Sequence, residues 1–335
     1  MIIIIFFAYF LNCCIKPLSL LEKKKLKIFC FYLDITVRAV YTVHVRYTQG
    51  GQCMNALEIK KLNKRYKNFH LKDVSITLPK GYILGFVGEN GAGKTTTIKS
   101  LLNITRRDSG EVSIFGKDID AHENEIKSNI GYVSGDMFYP KKKVKDVTRV
   151  YKRFYPTWDN DLYESYIKQF NLDEDKKIDE LSKGMYMKYT LALGLSHHAK
   201  LLILDEPTTG LDPVARDNLL EVFQSLIEEG EISILYSTHI TSDLEKCADY
   251  IVVIKEGQII ENCSKDDLID QYRIVNGSKE SLDKIKDKLI SYKENVFGFN
   301  GLIKTKDMKK IEDIRYGQPL IDDIIIFFSG GSELS

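Results

Sequence analysis

The sequence is short of several things. Cysteine is scarce, six in 335 residues. Four of these, Cys13, Cys14, Cys30 and Cys53, lie in the first segment, which leaves Cys247 and Cys263 for the body. Neither a disulfide framework nor a cysteine-based metal cluster follows from that placement, and a reducing cytoplasm is the natural compartment. Net charge is close to zero, at +1, which argues against a dedicated nucleic-acid binder with a strongly basic face. No apolar run reaches the roughly 20 residues of a membrane-spanning helix without interruption, so a translocation path cannot be built from this chain. Internal repeats and long low-complexity tracts are also missing. What remains, 44% hydrophobic and 28% charged residues, is ordinary for a globular protein of one large or two modest domains.

Charge is distributed unevenly. Residues 1–53 carry seven Lys or Arg and two Asp or Glu, which leaves 41 basic against 45 acidic in the remainder, a net of about −4. The apolar run Ile2 to Ile15 is too short to span a membrane; extended to Leu21 and followed by Lys23, Lys24 and Lys25 it makes a marginal span with its lysines on the cytoplasmic side. A secretory signal fits worse, because no basic residue precedes the apolar stretch and no clear cleavage site follows it. The preferred expectation is that residues 1–53 are a non-native upstream extension. Gln49-Gly50-Gly51 matches a ribosome-binding sequence translated in frame, and Met54 follows directly before the strand-like LEIKKL.

From Leu57 the pattern is that of short β-rich runs: LEIKKL, Tyr66 to His70, and VSITL ended by Pro79-Lys80-Gly81. Tyr82 to Val87 is almost wholly apolar, as in a strand buried on both faces of a parallel sheet, and leads through a glycine-rich turn into the helix-like TTTIKSLLN. Residues 136–188 are helix-patterned and charged, the mark of an inserted helical subdomain. Leu201 to Leu204 predicts a second buried strand, Val214 to Glu229 a helix, and Ile232 to Tyr236 a third strand. This alternation predicts an α/β fold with a parallel sheet. After Ile269 the chain turns polar and lysine-rich, with a strand-like run at Ile324 to Phe328, and is expected to form a small accessory region.

Gly88-Glu89-Asn90-Gly91-Ala92-Gly93-Lys94-Thr95 matches the phosphate-binding loop G-x-x-x-x-G-K-[ST]. Glycines let successive backbone N–H groups and the positive end of the following helix face phosphate oxygens. Lys94 is expected to reach the β- and γ-phosphates, and the Thr95 hydroxyl to ligate Mg²⁺, with Thr96 next to it in the same helix start. Leu201 to Leu204 delivers two carboxylates, Asp205 and Glu206. Asp205 suits Mg²⁺ held through water, and Glu206 suits a general base that orients or deprotonates the attacking water. A strand ending in Asp-Glu is by itself an ordinary solvated turn; the phosphate loop upstream gives it meaning.

Taken together these motifs resemble an ABC ATPase cassette, with ordered matches from Tyr66 to His239. The resemblance implies a P-loop NTPase fold, comprising a RecA-like core, an antiparallel β subdomain and an inserted helical subdomain, over residues 54–270, with residues 271–335 as accessory region. Leu181-Ser182-Lys183-Gly184-Met185 is similar to the signature LSGGQ, with Lys183 and Met185 as departures. Ser182 and Gly184 would then contact the γ-phosphate of ATP bound to a partner subunit; alone, the segment reads as a helix start capped by Ser182. Tyr66 resembles the aromatic that stacks on adenine, Asp212 in Gly210-Leu211-Asp212 the residue that couples two subunits, and His239 the switch histidine that contacts the γ-phosphate. The glutamine expected after IGYV is missing. Ile130-Gly131-Tyr132-Val133-Ser134 runs into Gly135-Asp136, so either Asp136 substitutes as a metal ligand or the contact is absent. His197 and His198 are read as packing or surface residues.

The function implied is ATP binding and hydrolysis by a dimer, of identical chains or with a paralogous ATPase. That dimer would power a separate transmembrane permease from the inner face of the cell membrane. LSKGM, Gly135 and the short C-terminal extension resemble small bacterial exporter-type cassettes, so export is the expected direction and no nucleic-acid partner is expected. The alternative is a soluble ABC ATPase of regulatory or ribosome-associated function. Mass spectrometry of the natively expressed protein tests the upstream reading: the N-terminal peptide is expected to begin at Met54, and any peptide from residues 1–53 overturns it.

Overall fold

The computed structural model describes residues 54–330 except 229, 309, 310 and 312; the upstream segment, read above as an extension or a marginal membrane span, lies outside the described residues. Strands β1 (Asn55–Arg65) and β2 (His70–Pro79) form a hairpin, followed by β3 (Ile83–Val87), helix α1 (Lys94–Leu101), β4 (Ser109–Ile114) and β5 (Lys117–Asp118). β4 and β5 return to β1, giving an antiparallel sheet in the order β2-β1-β4-β5. Along β2 buried and exposed residues largely alternate, the period of a strand with one face on a core. Ile59 pairs with Ile76 and Leu57 with Leu78 on the buried face.

Helix α2 (Glu123–Lys127) precedes β6 (Ile130–Ser134). The helical insertion follows as α3 (Val144–Tyr151), α4 (Asn160–Gln169) and α5 (Lys183–Leu195). Its interior is pinned by hydroxyls: the Thr148 Oγ1 lies 2.9 Å from the Tyr163 hydroxyl and 3.0 Å from that of Tyr189, and Tyr163 donates to Glu174 at 2.9 Å. Asp159 caps α4 by accepting from the Leu162 N–H.

The chain then alternates β7 (Leu201–Asp205), α6 (Pro213–Glu228), β8 (Ser233–Thr238), α7 (Thr241–Cys247), β9 (Tyr250–Lys255) and β10 (Gln258–Ser264). These strands join β3 and β6 in a six-stranded sheet ordered β10-β9-β3-β8-β7-β6, parallel except for β10. β3, β7 and β8 are buried along their whole length, as expected for strands covered on both faces. The mixed α/β architecture with a P-loop core is the one the motifs imply. Cys247 and Cys263 are free thiols.

Two local expectations need correction, and a third region holds more structure than its sequence suggested. Tyr66 to His70 is not a strand: the Tyr66 N–H donates to the Phe69 carbonyl at 2.7 Å, closing the turn between β1 and β2, and Arg65 pairs directly with His70. The lysine-rich C-terminal stretch holds an antiparallel sheet that its polarity concealed. After α8 (Lys265–Gln271) come β11 (Tyr272–Gly277), α9 (Lys279–Leu282), β12 (Leu289–Asn295), β13 (Gly298–Lys304) and β14 (Arg315–Gly317), in the order β12-β13-β11-β14. Last, Ile324 to Phe328 lies in a helix, α10 (Ile321–Gly330). Asp322 and Asp323 in its first turn suit the helix dipole, and the Asp323 carboxylate accepts from the Leu320 N–H. Ile321, Ile324, Ile325 and Phe327 are buried at helical spacing. That packing outweighs the strand preference of a β-branched run. The same four residues share one apolar core with Tyr272, Leu302, β7 and α5.

His197 is buried, stacks on Tyr155 with ring centres 3.8 Å apart, and approaches the Ser128 carbonyl through Nδ1 at 3.2 Å. His198 is exposed, 3.5 Å from Asp159. Burial pulls the His197 pKa from 6.5 down to about 4. The folded state therefore resists a proton that the unfolded chain accepts, so stability should fall as pH drops from 6.5 towards 4. The loss from this group is at most about 3 kcal/mol. Urea denaturation across that range should show a steeper acid loss for wild type than for His197→Phe; parallel curves would remove the assignment.

Candidate functional site

The site is built by register. In the parallel sheet Ser134 pairs with Asp205, Asp205 with Ser237, and Thr238 with Val87. The carboxyl ends of β6, β7, β8 and β3 therefore stop side by side, and the loops that follow them emerge together, where ligands bind open α/β sheets. Those loops carry Gly135, Glu206, His239 and the glycine-rich loop respectively.

The loop between β3 and α1 is bent by glycine where nothing else fits. A methyl group on Gly88 would stand 2.3 Å from the Ile254 carbonyl oxygen, and Gly93 takes φ 117° at the start of α1 with the Phe69 ring and Leu71 packed against it. Glu89, Asn90, Gly91 and Thr95 are exposed, Ala92 is buried and Thr96 is half-buried. Lys94 is buried, and its ammonium donates to the Gly88 carbonyl at 2.7 Å and to the Glu89 carbonyl at 3.2 Å.

Glu206 lies at the centre of the charged groups. Lys94 Nζ is 3.3 Å from Glu206 Oε1, the Thr209 hydroxyl donates to Oε2 at 2.8 Å, and His239 Nδ1 lies 2.8 Å from the same oxygen. The Glu206 backbone is left-handed, φ 53°, and its N–H is anchored on the Ser237 carbonyl at 2.9 Å. For a residue with a Cβ that conformation costs about 1–2 kcal/mol, and strain of this kind collects at functional sites. Next to it, the Thr95 hydroxyl donates to Asp205 Oδ1 at 3.3 Å. Burial pushes the Asp205 carboxyl above the usual carboxylate range, a rise opposed by the Thr95 bond. Two hard oxygen ligands converge there on a buried acid that a cation would stabilise, so the pair fits a Mg²⁺ ion.

Not every expected residue joins this cluster. Asp136 is exposed, its side chain makes no hydrogen bond or ion pair with Thr95 or Asp205, and its backbone carbonyl accepts from Tyr186. Tyr66 lies exposed in the hairpin turn, with the Lys64 ammonium 5.6 Å from its ring centre. Ser182 and Asp212 cap helices of their own subunit: Ser182 Oγ accepts from the Met185 N–H, and Asp212 Oδ1 from those of Val214 and Ala215. Gly184 faces Ala215 and Leu211, which brings the starts of α5 and α6 together. Gly135 and Lys183, two of the three departures from the family pattern, are neighbours. A methyl group on Gly135 would lie 4.0 Å from both Lys183 Cε and the Glu206 carbonyl oxygen, and one on Gly210 would lie 3.2 Å from Lys183 Nζ. Thr209 was missed by sequence reasoning. Its one signal is a hydroxyl three residues beyond Glu206, legible only once the turn is known.

The ABC transporter family model matches residues 71–209. Over 218 residues the chain is 33% identical to the ABC transporter ATP-binding protein YtrB of Bacillus subtilis (strain 168), covering 64% of this chain and 74% of that one. The chain belongs to the ABC transporter family as a nucleotide-binding subunit. It is also 33% identical over 198 residues to the bacitracin transport ATP-binding protein BcrA of Bacillus licheniformis, covering 58% of this chain and 65% of that one. Among solved structures, an ATP-binding subunit of an ABC transporter superposes with TM-score 0.58 at 27% identity, covering 64% of this chain and 91% of that one. ATP binding and ATPase activity are thus the family's general property.

The raised Asp205 pKa gives a signed prediction. Its ionisation costs stability in the ligand-free protein: the cost is absent below pH 3.8, grows as pH rises from there towards the raised pKa, and is full above it. Asp205→Asn should therefore melt higher than wild type at pH 7 without ligand, and the gap should close in acid. With ATP and Mg²⁺ added, the order should reverse, because only wild type keeps the cation ligand. Calorimetry that finds Asp205→Asn less stable at pH 7 without ligand would refute the account.

Proposed function

We propose that this cassette hydrolyses MgATP as one half of a dimer and so drives a separate permease, in the direction of export. The observation that carries the hydrolytic part is the shared carboxylate. Glu206 is touched by Lys94, Thr209 and His239 at once, beside the Thr95–Asp205 oxygens. In this reading the triphosphate lies in the loop from Gly88 to Thr96, and Lys94 exchanges its carbonyl partners for phosphate oxygens. Thr95 and Asp205 hold Mg²⁺, which when bound neutralises charge on the phosphates. Glu206, oriented by Thr209 and His239, accepts the proton of a water in line with the γ-phosphate, and His239 stabilises charge on the phosphoryl oxygens.

Dimerisation supplies what one chain lacks. Ser182 and Gly184 lie at the start of α5, away from the bonds of their own phosphate loop, and would close over ATP held by a partner, identical or paralogous. Asp212, at the neighbouring start of α6, would carry the state of one site to the other. Loss of the γ-phosphate weakens that clamp, and the opening moves the attached membrane protein. No helix among the described residues is long and apolar enough to cross a membrane, and in this reading a separate permease supplies the path for the cargo. The stretch that follows β6 exposes Met137, Tyr139, Val150 and Phe154, and in this reading the permease docks against it. A permease seated there places the cassette in the cytoplasm, peripheral to the membrane. The likeness to a relative named for Nod factor export supports the export direction.

Steady-state ATPase assays with parallel nucleotide binding test the assignment. Glu206→Gln should retain ATP while turnover falls by ~10²–10⁴-fold, the usual worth of a general base; Lys94→Ala should lose nucleotide binding or turnover. Equal hydrolysis by wild type and Glu206→Gln would remove Glu206 from its role, and failure to co-purify any multi-span membrane protein would count against the transport reading.

A further inference from the structure

Behind the hydrolytic pair lies a buried carboxylate that no step above uses. Asp243, in α7 four residues beyond His239, is fully buried. Its Oδ2 accepts from the Thr208 hydroxyl at 2.6 Å and from the Tyr236 hydroxyl at 2.7 Å; those two oxygens are themselves 2.9 Å apart. Its Oδ1 accepts from Arg216 Nε, and the same guanidinium donates through Nη2 to Ser242 at 2.6 Å. A buried charge is tolerated only where partners satisfy it, and removal of the acceptor leaves a half-buried guanidinium and two buried hydroxyls short of a bond.

The partners come from every element that meets behind the site. Thr208 lies in the loop after β7, next to Thr209, whose hydroxyl holds Glu206. Tyr236 lies in β8, three residues before His239. Arg216 lies in the first turns of α6, one turn beyond Asp212, and Asp243 itself lies in the helix that His239 leads into. Burial and the nearby Asp243 charge keep the Tyr236 hydroxyl protonated, so it remains a donor. The network thus fastens the loop carrying Glu206 to the loop carrying His239 through one acid, without touching the place where phosphate would lie.

We infer that Asp243 is a positioning residue for ATP turnover, setting the 2.8 Å contact of Glu206 with His239 by locking the loops 206–212 and 237–243 to each other. This rests on the reading of Glu206 and His239 as the hydrolytic pair. Charge, geometry and burial all single out a carboxylate: asparagine has one acceptor oxygen where the network uses two, and brings an N–H₂ group against Arg216 or the hydroxyls.

The test uses the full-length chain in two independent measurements. First, kcat and KM for MgATP, and binding of a fluorescent trinitrophenyl ATP, are compared for wild type, Asp243→Asn, His239→Ala and the double variant. Asp243→Asn should lower kcat at least about tenfold while KM and nucleotide affinity stay within about twofold, and should lower kcat less than about twofold further in the His239→Ala background. The same tenfold loss on top of His239→Ala, or a loss in affinity instead of kcat, would make the network a purely structural support and overturn the inference. Second, hydrogen exchange of the nucleotide-free proteins should rise in segments 206–212 and 237–243 together in Asp243→Asn and stay level in β3 and β6; a rise in one loop alone, or in neither, overturns it as well. Should Asp243→Asn not fold, Thr208→Val, which removes one donor, should give the same pattern at about threefold in kcat. Failure of the catalytic reading would be seen separately, as undiminished turnover in Glu206→Gln, while the exchange result still decides whether Asp243 couples the loops.

Discussion

The site depends on the alignment of four parallel strand ends. With Ser134 beside Asp205, Asp205 beside Ser237 and Thr238 beside Val87, residues far apart in the chain leave the sheet at the same level. Strands buried on both faces have little freedom to slip, since each side chain is close-packed against neighbours above and below the sheet and a shift would disrupt that fit. The loops that carry Glu206, His239 and Lys94 are therefore held by a rigid apolar platform, and their charges face each other across a few ångströms.

Held in that way, Glu206 occupies a conformation it would not choose. Its left-handed backbone, its bond from Thr209 and its contacts with Lys94 and His239 are all features of one crowded turn. The strain is offset by the sheet beneath it and by the polar network around Asp243 behind it. Asp205 is similar: its buried carboxyl is poorly solvated without a cation, and a metal with phosphate would relieve that cost. A site of this kind stores in the ligand-free protein part of the drive to bind its ligand.

The C-terminal region is tied into the same platform. Thr241, two residues beyond His239, donates to Asp322 at the start of α10 at 2.6 Å, the Glu245 carboxylate accepts from the Ile321 N–H, and the Lys255 ammonium reaches the Phe328 carbonyl at the other end. One helix therefore joins the segment after His239 to the strand beside β3. Its apolar face is continuous with the main core, so the accessory sheet and the ATPase share packing.

The sequence by itself determined the chemistry-bearing motifs and the strands that carry them. Glycines at fixed spacing before Lys94-Thr95, a wholly apolar run before Asp205-Glu206 and a mostly apolar one before Ser237-Thr238-His239 are local signals whose physics needs no tertiary context. The helical insertion was legible for the same reason. Tyr66 to His70 misled because aromatic residues favour strands while the turn there is set by hairpin register. Ile324 to Phe328 misled because a β-branched run is ambiguous until the face it buries is known. The C-terminal strands were hidden because their apolar residues come in short pieces, separated by polar residues and by the lysine-rich segments between strands. Only the tertiary structure decided that Thr209 holds Glu206, that Lys183 lies beside Gly135, and that Asp243 binds two loops together. Those contacts are made between segments whose separation along the chain carries no information about distance, and only the register of the buried sheet turns sequence order into neighbourhood.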